Sequence, residues 1–258
     1  MPLTPEEIEQ FHTRGYLILN ATERGFTDAA QLARMQHAAE QQLVEAQQPL
    51  ELETTTGYPG APDSTQALGG NTVRRLLGAH GRHRSWQAWA TNKSVVESLA
   101  ALFGDARVVL NRIHHNCLMT KNPRFSSATG WHQDIRYWAF DLPELISVWL
   151  ALGNESGDNG GLRVVPGSHR LALASERFDQ QLFLDPDRAD NAPLLAQAVD
   201  LTLAAGEVLF FHCKLLHSAA PNHSTQTKYA LVFTYHDGRN GPIPGSRSAA
   251  LSGITLAG

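Results

Sequence analysis

The sequence lacks three features that would each indicate a special class of protein: a set of paired cysteines, an excess of basic charge and a long apolar run. Cys117 and Cys213 are the two cysteines among 258 residues, too few for a disulfide scaffold, so we expect both to be reduced and buried. Lysine and arginine number 21 against 25 aspartates and glutamates, which excludes the basic field that nucleic acid binding requires. No apolar run reaches the length of a membrane span, and the N-terminal residues lack a secretory leader pattern. These absences predict a cytoplasmic protein that acts on a small molecule and has no nucleic acid or membrane partner. They do not indicate its oligomeric state.

Hydrophobic periodicity predicts helices first and strands afterwards. Thr4, Pro5 and Glu7 form a capping box for a helix that ends at Gly15 and leads into a short strand. Further helices are predicted at residues 27–47 and 92–103, and a long loop at residues 51–71. The predicted strands are the apolar or alternating runs at residues 107–119, 131–139, 145–152, 162–165, 199–203, 207–211 and 229–235. We therefore expect one domain, mainly β with flanking α-helices, across residues 1–258, in which N-terminal helices at about 4–103 cover a β-sandwich core at about 105–240.

A His-x-Asp pair, His132 and Asp134, stands in the middle of the chain. The chain contains 12 histidines, so such a tripeptide can arise by chance. If the segment is a strand, both side chains project from the same face and can converge on one ion. A second histidine would complete the two-histidine, one-carboxylate set of non-heme Fe(II) oxygenases, and His217 is favoured because it follows an apolar strand and precedes a turn. The other candidates are His169, His212, His223 and His236, of which His212 is interpreted as a surface or hydrogen-bonded residue.

Three longer stretches in this order resemble the motifs of a known family. They are GWHQDIRYWAF from residue 130, WLALGNESGDNGGLRVVPGSHR from residue 149 and GEVLFFHCKLLHSAAPNHS from residue 206. The resemblance is to the phytanoyl-CoA dioxygenase (PhyH-like) family of Fe(II)- and 2-oxoglutarate-dependent oxygenases, and it extends to the opening LTPEEIEQFHTRGYLIL. It implies a double-stranded β-helix (jelly roll, cupin-like) core and the metal ligands His132, Asp134 and His217, which would also be the catalytic centre.

The resemblance also implies which residues contact 2-oxoglutarate. The family holds the far carboxylate with a basic residue, usually arginine, at a position that is Lys228 here. Lysine can neutralise a carboxylate but lacks the bidentate fork of arginine, so weaker or differently angled anchoring is expected. Ala219 is a second departure, because relatives often have serine there. Trp149 resembles the family tryptophan near the cosubstrate, with a plain core aromatic as the alternative.

Two arginines and a segment after Asp134 are further candidates for the site. Arg74 and Arg75 lie where relatives often have a basic residue that faces the cosubstrate, but a solvated helix face is favoured for them. The substrate pocket is expected to include the loop at residues 51–71 and the residues that follow the metal-binding carboxylate, namely Arg136, Tyr137 and Trp138.

The implied reaction is hydroxylation of an unactivated C–H bond in a small molecule. Its cofactor is Fe(II), its cosubstrates are 2-oxoglutarate and O2, and its by-products are succinate and CO2. Asp134 disfavours halogenation, since halogenating relatives have a small residue in its place. Two alternatives stay open: a non-catalytic β-sandwich that binds a ligand or partner, and a zinc hydrolase that uses the same three ligands.

Overall fold

The structure is a computed structural model that describes residues 1–256. Its helices are α1 Pro5–Arg14, α2 Ala29–Glu45, α3 Ala79–Arg82, α4 Arg84–Ala90, α5 Lys93–Leu102 and α6 Ala192–Leu195. Its strands are β1 Tyr16–Asn20, β2 Leu50–Leu52, β3 Val73–Leu77, β4 Val108–Leu110, β5 Cys117–Lys121, β6 Thr129–His132, β7 Leu145–Ala151, β8 Leu162–Val164, β9 Val199–Asp200, β10 Glu207–His212, β11 His217–Ala219, β12 Lys228–Asp237 and β13 Ile254–Thr255. In this part of the chain no helix is both long and apolar enough to cross a bilayer.

The strands form two antiparallel sheets. Within residues 1–256 the larger sheet has 9 strands in the order β1-β10-β7-β12-β5-β3-β2, with β4 between β12 and β13, and the smaller has 4 strands in the order β6-β11-β8-β9. Each sheet interleaves strands from distant parts of the chain, which is the arrangement of a double-stranded β-helix. The mainly β fold with flanking helices that the sequence predicts is therefore confirmed.

The core has two layers because side chains on a strand alternate between its faces. Val148 and Phe210 on one face of the larger sheet join the apolar cluster that packs against α1, α2, α4 and α5. Trp149 and Phe211, one residue further along each strand, point to the smaller sheet and join a second cluster. The candidate site lies in this second layer, between the sheets.

The first helix begins and ends where the capping residues predict. The Thr4 hydroxyl accepts a hydrogen bond from the Glu7 amide at 3.3 Å, and the Glu7 carboxylate accepts one from the Thr4 amide at 2.8 Å. Gly15 ends the helix with φ of 81°, a left-handed conformation that glycine adopts at little cost. A Cβ at Gly15 would also lie only 2.4 Å from His169 Nδ1, so this turn requires glycine.

Two predicted strands are shorter than the sequence indicates. The run at residues 107–119 is interrupted because the Asn111 side-chain oxygen accepts hydrogen bonds from the backbone of Ile113 and His114 at 2.7 and 2.8 Å. These local bonds turn the chain between β4 and β5. The strand predicted at residues 131–139 is also wrong over most of its length, since β6 ends at His132 and a 3-10 turn occupies residues 134–137.

Both free cysteines are buried, as predicted. The predicted loop at residues 51–71 is confirmed in its central part, although its first residues form β2 and a short 3-10 turn at residues 53–55. Arg74 and Arg75 lie on strand β3 and not on a solvated helix face, so that prediction is wrong. Their strand pairs with β5 in the larger sheet, which carries Arg74 into the protein interior.

Candidate metal centre

The two histidines and the carboxylate predicted as metal ligands lie together. His132, Asp134 and His217 each offer one ligand atom, and these atoms all lie within 4.8 Å of one another. Asp134 Oδ1 is 3.6 Å from His132 Nε2 and 3.7 Å from His217 Nε2. This spacing brings two imidazole nitrogens and a carboxylate oxygen to a common point. Three donors of these types suit a divalent transition metal and leave other coordination positions free.

The sheet pairing explains why the two imidazoles meet. β6 and β11 run antiparallel, and His132 stands directly opposite His217 in their register. His132 Nδ1 is 2.8 Å from the Gly130 carbonyl and His217 Nδ1 is 3.0 Å from the Leu215 carbonyl. Each carbonyl can only accept, so each Nδ1 carries the proton and each Nε2 keeps a free lone pair for a metal.

Asp134 reaches the same point by a different route from the one its strand parity predicts. It is the first residue of the 3-10 turn after β6, and the Ile135 amide donates to the Cys213 carbonyl at 3.1 Å. Its Oδ2 atom is buried and lacks a hydrogen bond partner among residues 1–256. Burial raises the pKa of this carboxyl to about 6, against the opposing effects of His217 and Arg75. An unpartnered buried carboxylate beside two free imidazole nitrogens fits a bound cation.

A third histidine, His115, borders the centre and is absent from the sequence-based set. Its Nδ1 lies 3.5 Å from Asp134 Oδ2 and 3.2 Å from the Ser147 hydroxyl. Desolvation, followed by the charge of Arg75, lowers its pKa well below the usual value for histidine, so the ring is neutral. The backbone of His115 has φ of 39°, which few non-glycine residues adopt. The sequence signal was weak, since consecutive histidines in an irregular segment fit no motif.

A cavity, called the smaller cavity below, adjoins the candidate metal centre. It has an empty volume of about 560 Å³ and is bordered by His132 and His217 together with Trp149, Lys228 and Lys121. Lys121 and Lys228 lie side by side as cross-strand partners on the neighbouring strands β5 and β12. The Lys121 ammonium donates to the Ser127 carbonyl and forms no ion pair with a carboxylate in the described part of the chain. Burial, and then the charges of Arg74 and Lys228, lower its pKa to about 7.

Lys228, the predicted partner of the cosubstrate carboxylate, already has a carboxylate partner inside the protein. Its Nζ lies 3.0 Å from Glu155 Oε2, and both side chains are almost fully buried. The indole Nε1 of Trp149 donates to the other oxygen, Glu155 Oε1, at 2.9 Å. Glu155 is not among the residues that the sequence predicts for the site, because the loop after β7 has no periodic pattern that would indicate a buried acid.

Arg74 is held in a second buried network at the edge of the cavity. Its guanidinium donates to Glu53 at 3.1 Å, to Ser127 at 2.7 Å and to Thr129 at 2.9 Å. Thr129 is the first residue of β6, the strand that ends at His132. The network therefore connects the turn at residues 53–55, β3 and the metal-centre strand.

A second cavity, called the larger cavity below, has an empty volume of about 1610 Å³ and shares His115, His132 and both arginines of β3 with the smaller one. His132, Asp134 and His115 face it, and so do two of the predicted substrate residues, Tyr137 and Trp138. Trp138 stacks on His114 at 4.9 Å between ring centroids and meets His115 edge-on at 5.1 Å. The Tyr137 hydroxyl donates to the Gln181 carbonyl at 2.7 Å.

Arg136, the third predicted substrate residue, lies outside the lining of both cavities. Its guanidinium donates to Gln133 at 3.0 Å and to the Leu173 carbonyl at 2.8 Å, and it stacks 3.4 Å above the Phe178 ring. These contacts attach the segment at residues 173–178 to the 3-10 turn that begins at Asp134. The role of Arg136 in substrate binding stays a prediction.

The remaining histidine candidates do not join the centre. His212 Nε2 pairs with Glu144 at 2.9 Å, as its interpretation as a hydrogen-bonded residue predicts. His169 Nε2 contacts the His12 carbonyl at 3.0 Å, and His236 Nδ1 contacts the Asp237 carbonyl at 2.9 Å. Within residues 1–256 the cluster of His132, Asp134 and His217 is the one with metal-binding spacing.

Comparison with known proteins agrees with the resemblance found in the motifs. The family described as phytanoyl-CoA dioxygenase (PhyH) matches residues 11–230. Phytanoyl-CoA dioxygenase 1 of Oryza sativa is 25% identical over 134 residues, which are 52% of this chain and 48% of the rice protein. The L-proline trans-4-hydroxylase of Streptomyces griseoviridis is 26% identical over 204 residues, or 70% of this chain and 74% of that protein. The match thus spans about half of the rice protein and about three quarters of the bacterial one.

The fold agrees with solved structures as well. The crystal structure of EctD from S. alaskensis with 2-oxoglutarate and 5-hydroxyectoine superposes with a TM-score of 0.79, at 20% identity, over 99% of this chain and 86% of that one. A likeness of this size at low identity shows the shared fold.

Proposed function

Because the chain belongs to the phytanoyl-CoA dioxygenase family, we propose that it is an Fe(II)- and 2-oxoglutarate-dependent dioxygenase that hydroxylates a small molecule at His132, Asp134 and His217. The observation that supports this most directly is the convergence of two unprotonated Nε2 atoms and a buried, unpartnered carboxylate oxygen. Ferrous iron with 2-oxoglutarate and O2 supplies an oxidative decarboxylation to succinate and CO2, which generates an oxidant able to attack an unactivated C–H bond.

We assign the smaller cavity to 2-oxoglutarate. A dianion needs cationic partners, and Lys121 and Lys228, on two neighbouring strands, both line this cavity. Lys121 is available as a partner because no carboxylate of the described chain pairs with it. Trp149 forms an apolar wall beside Lys228, with the ammonium 4.8 Å from its ring centroid. The protein thus contributes charge at the far end of the cosubstrate and keeps water away along its length.

We assign the larger cavity to the substrate. Its walls combine the aromatic rings of Tyr137 and Trp138 with four arginines. Two of these, Arg112 and Arg247, are exposed and form no ion pair with a carboxylate in the part of the chain described. Aromatic rings near the metal centre and guanidinium groups at the mouth suit a small molecule with an apolar body and an anionic group. Anionic molecules therefore belong among the first substrates to be tried.

The test of this function is a succinate assay on the iron-loaded protein with a panel of small molecules, half of them anionic. His132→Ala serves as the blank, and O2 uptake is recorded in parallel. We expect one or more panel members to raise succinate formation together with O2 consumption, and iron chelation to stop both. Product formation without O2 uptake would instead support a zinc hydrolase. Absence of succinate, and of the weak visible band that anaerobic Fe(II) and 2-oxoglutarate give, would support a non-catalytic binding protein.

The affinity for 2-oxoglutarate is expected to depend on pH through Lys121. Its pKa of about 7 means that the unliganded site loses this positive charge as the pH rises above neutrality. Only the ammonium attracts the cosubstrate carboxylate, whose own ionisation is complete in this range. We expect the dissociation constant to be nearly constant below about pH 6.5 and to rise up to about tenfold per pH unit above about pH 7.5. Calorimetric titration of the Mn(II)-loaded protein at several pH values measures this directly.

Lys121→Arg is the matched variant for the pH experiment, since arginine keeps its charge throughout this range. Its affinity for 2-oxoglutarate is expected to be independent of pH between about 6 and 9. A flat profile in the wild-type protein, or an unchanged slope in the arginine variant, would contradict the assignment of Lys121.

A further inference from the structure

Glu155 is a buried acid placed directly behind the cosubstrate cavity. It follows β7, and its backbone forms an isolated antiparallel bridge with Leu203 through hydrogen bonds of 2.7 and 3.0 Å. Its carboxylate is 1% exposed and has a partner on each oxygen, the Trp149 indole at 2.9 Å and the Lys228 ammonium at 3.0 Å. Trp149 and Lys228 line the cavity, whereas Glu155 lies outside its lining. The carboxylate therefore acts on the cavity through these two neighbours.

The charges around the cavity are nearly balanced before any ligand binds. Four cationic side chains line the cavity, and three of them are paired with a carboxylate: Arg74 with Glu53, Arg75 with Glu51 and Lys228 with Glu155. An ammonium has three N–H donors, and one hydrogen bond of Lys228, to Glu155, is present. The other N–H donors of Lys228 can bind a ligand, but the positive charge of this ammonium is already compensated by the Glu155 carboxylate.

We propose that Glu155 sets the affinity of this enzyme for 2-oxoglutarate by neutralising Lys228 and fixing the position of its ammonium. The inference rests on the proposed function and assigns to it a positioning residue. A far carboxylate that binds Lys228 shares this ammonium with Glu155, and two carboxylates on one buried cation repel each other. The protein thereby binds its cosubstrate more weakly than an unpaired lysine would allow. Occupancy of the site then responds to 2-oxoglutarate over a higher concentration range.

Glu155→Gln separates this role from a structural one. The substitution keeps the size of the side chain and removes its charge, so the Lys228 ammonium is left buried without a counter-ion until 2-oxoglutarate supplies one. A buried charge without a partner destabilises the protein, and a ligand that binds only the native state and relieves this cost binds more tightly. We expect the variant to melt at a lower temperature without ligand and to gain more from 2-oxoglutarate than the wild type does.

Titration of the Mn(II)-loaded protein with 2-oxoglutarate by calorimetry measures the effect. We expect the dissociation constant of Glu155→Gln to be about tenfold lower than that of the wild type, a difference of about 1.4 kcal/mol. In the Lys228→Met background the same substitution is expected to give no tightening, because the ammonium that it releases is gone. Asp200→Asn, which breaks the exposed Arg163–Asp200 pair, is the control and is expected to leave the affinity unchanged.

The outcomes distinguish this inference from the proposed function. If the wild-type protein does not bind 2-oxoglutarate, the proposed function fails and the inference fails with it. If the wild type binds but Glu155→Gln binds equally or more weakly, the inference alone is overturned and Glu155 is a structural residue. Should Glu155→Gln not fold, Glu155→Asp takes its place, because the shorter side chain withdraws the carboxylate from the Lys228 ammonium and weakens the pair. A lower dissociation constant for Glu155→Asp supports the inference, and an equal or higher one overturns it.

Discussion

His217→Ala is expected to abolish iron-dependent turnover. The substitution removes one of the three donors that converge on the centre, and the Nε2 atom it deletes lies 3.7 Å from Asp134 Oδ1. Loss of an outer partner of a ligand typically costs about 10–100-fold in metal affinity, so loss of a ligand itself is expected to exceed about 100-fold. Of the three proposed ligands only Asp134 and His132 would then remain, and a divalent ion would dissociate during purification. Metal content after dialysis and the rate of succinate formation measure the two consequences.

His212→Ala is the matched control for this experiment. His212 is also buried and lies on β10, five positions before His217, but its Nε2 pairs with Glu144 at 2.9 Å and does not face the metal centre. We expect this variant to lose a modest amount of stability and to keep its iron content. Full iron content and turnover in His217→Ala, or an equal loss in both variants, would be incompatible with the proposed centre.

Glu53→Ala is expected to have the largest effect on stability. The Glu53 side chain is fully buried, and its Oε2 accepts hydrogen bonds from Arg74 at 3.1 Å, from the Ser127 amide at 3.1 Å and from the Ser127 hydroxyl at 2.6 Å. Alanine removes the carboxylate and leaves the Arg74 guanidinium buried without its counter-ion. Breaking a buried ion pair from one side costs about 3–5 kcal/mol. Because Arg74 also donates to Thr129 on the metal-centre strand, metal affinity is expected to decrease with stability.

Glu51→Ala is the control for Glu53→Ala, since both acids pair with consecutive arginines of β3. The Glu51–Arg75 pair is 3.3 Å long, and its side chains are 31% and 28% exposed. Water can replace this partner, so the expected loss is below about 1 kcal/mol. Chemical denaturation of the three proteins measures the free energies of unfolding. Equal losses in the two variants would show that burial does not decide the strength of these pairs.

The local elements of the fold follow largely from the sequence. The capping box at Thr4 and Glu7 and the stop at Gly15 bound α1 as predicted, because these signals act within one helical turn. Two of the errors fall where a local hydrogen bond or turn competes with a strand. Asn111 interrupts one predicted strand through its side chain, and the turn that begins at Asp134 ends another. The pattern of apolar residues along the chain does not show where a side-chain hydrogen bond or a turn interrupts a strand.

The sequence by itself determined which residue types form the centre, because two histidines and an aspartate lie within motifs of characteristic order and spacing. The three residues predicted as ligands do lie together. Only the tertiary structure decided how they meet, through the pairing of His132 with His217 across β6 and β11 and through the turn at Asp134.

Tertiary structure alone also decided the charges around the cavity. Lys228 is paired with Glu155, Arg74 is buried against Glu53, and of the two lysines that line the cavity Lys121 is the one without a carboxylate partner in the described chain. The physical reason is that an ion pair is a contact between residues far apart in the chain, 73 positions for Lys228 and Glu155. Its strength depends on burial, which the order of residues along the chain does not record.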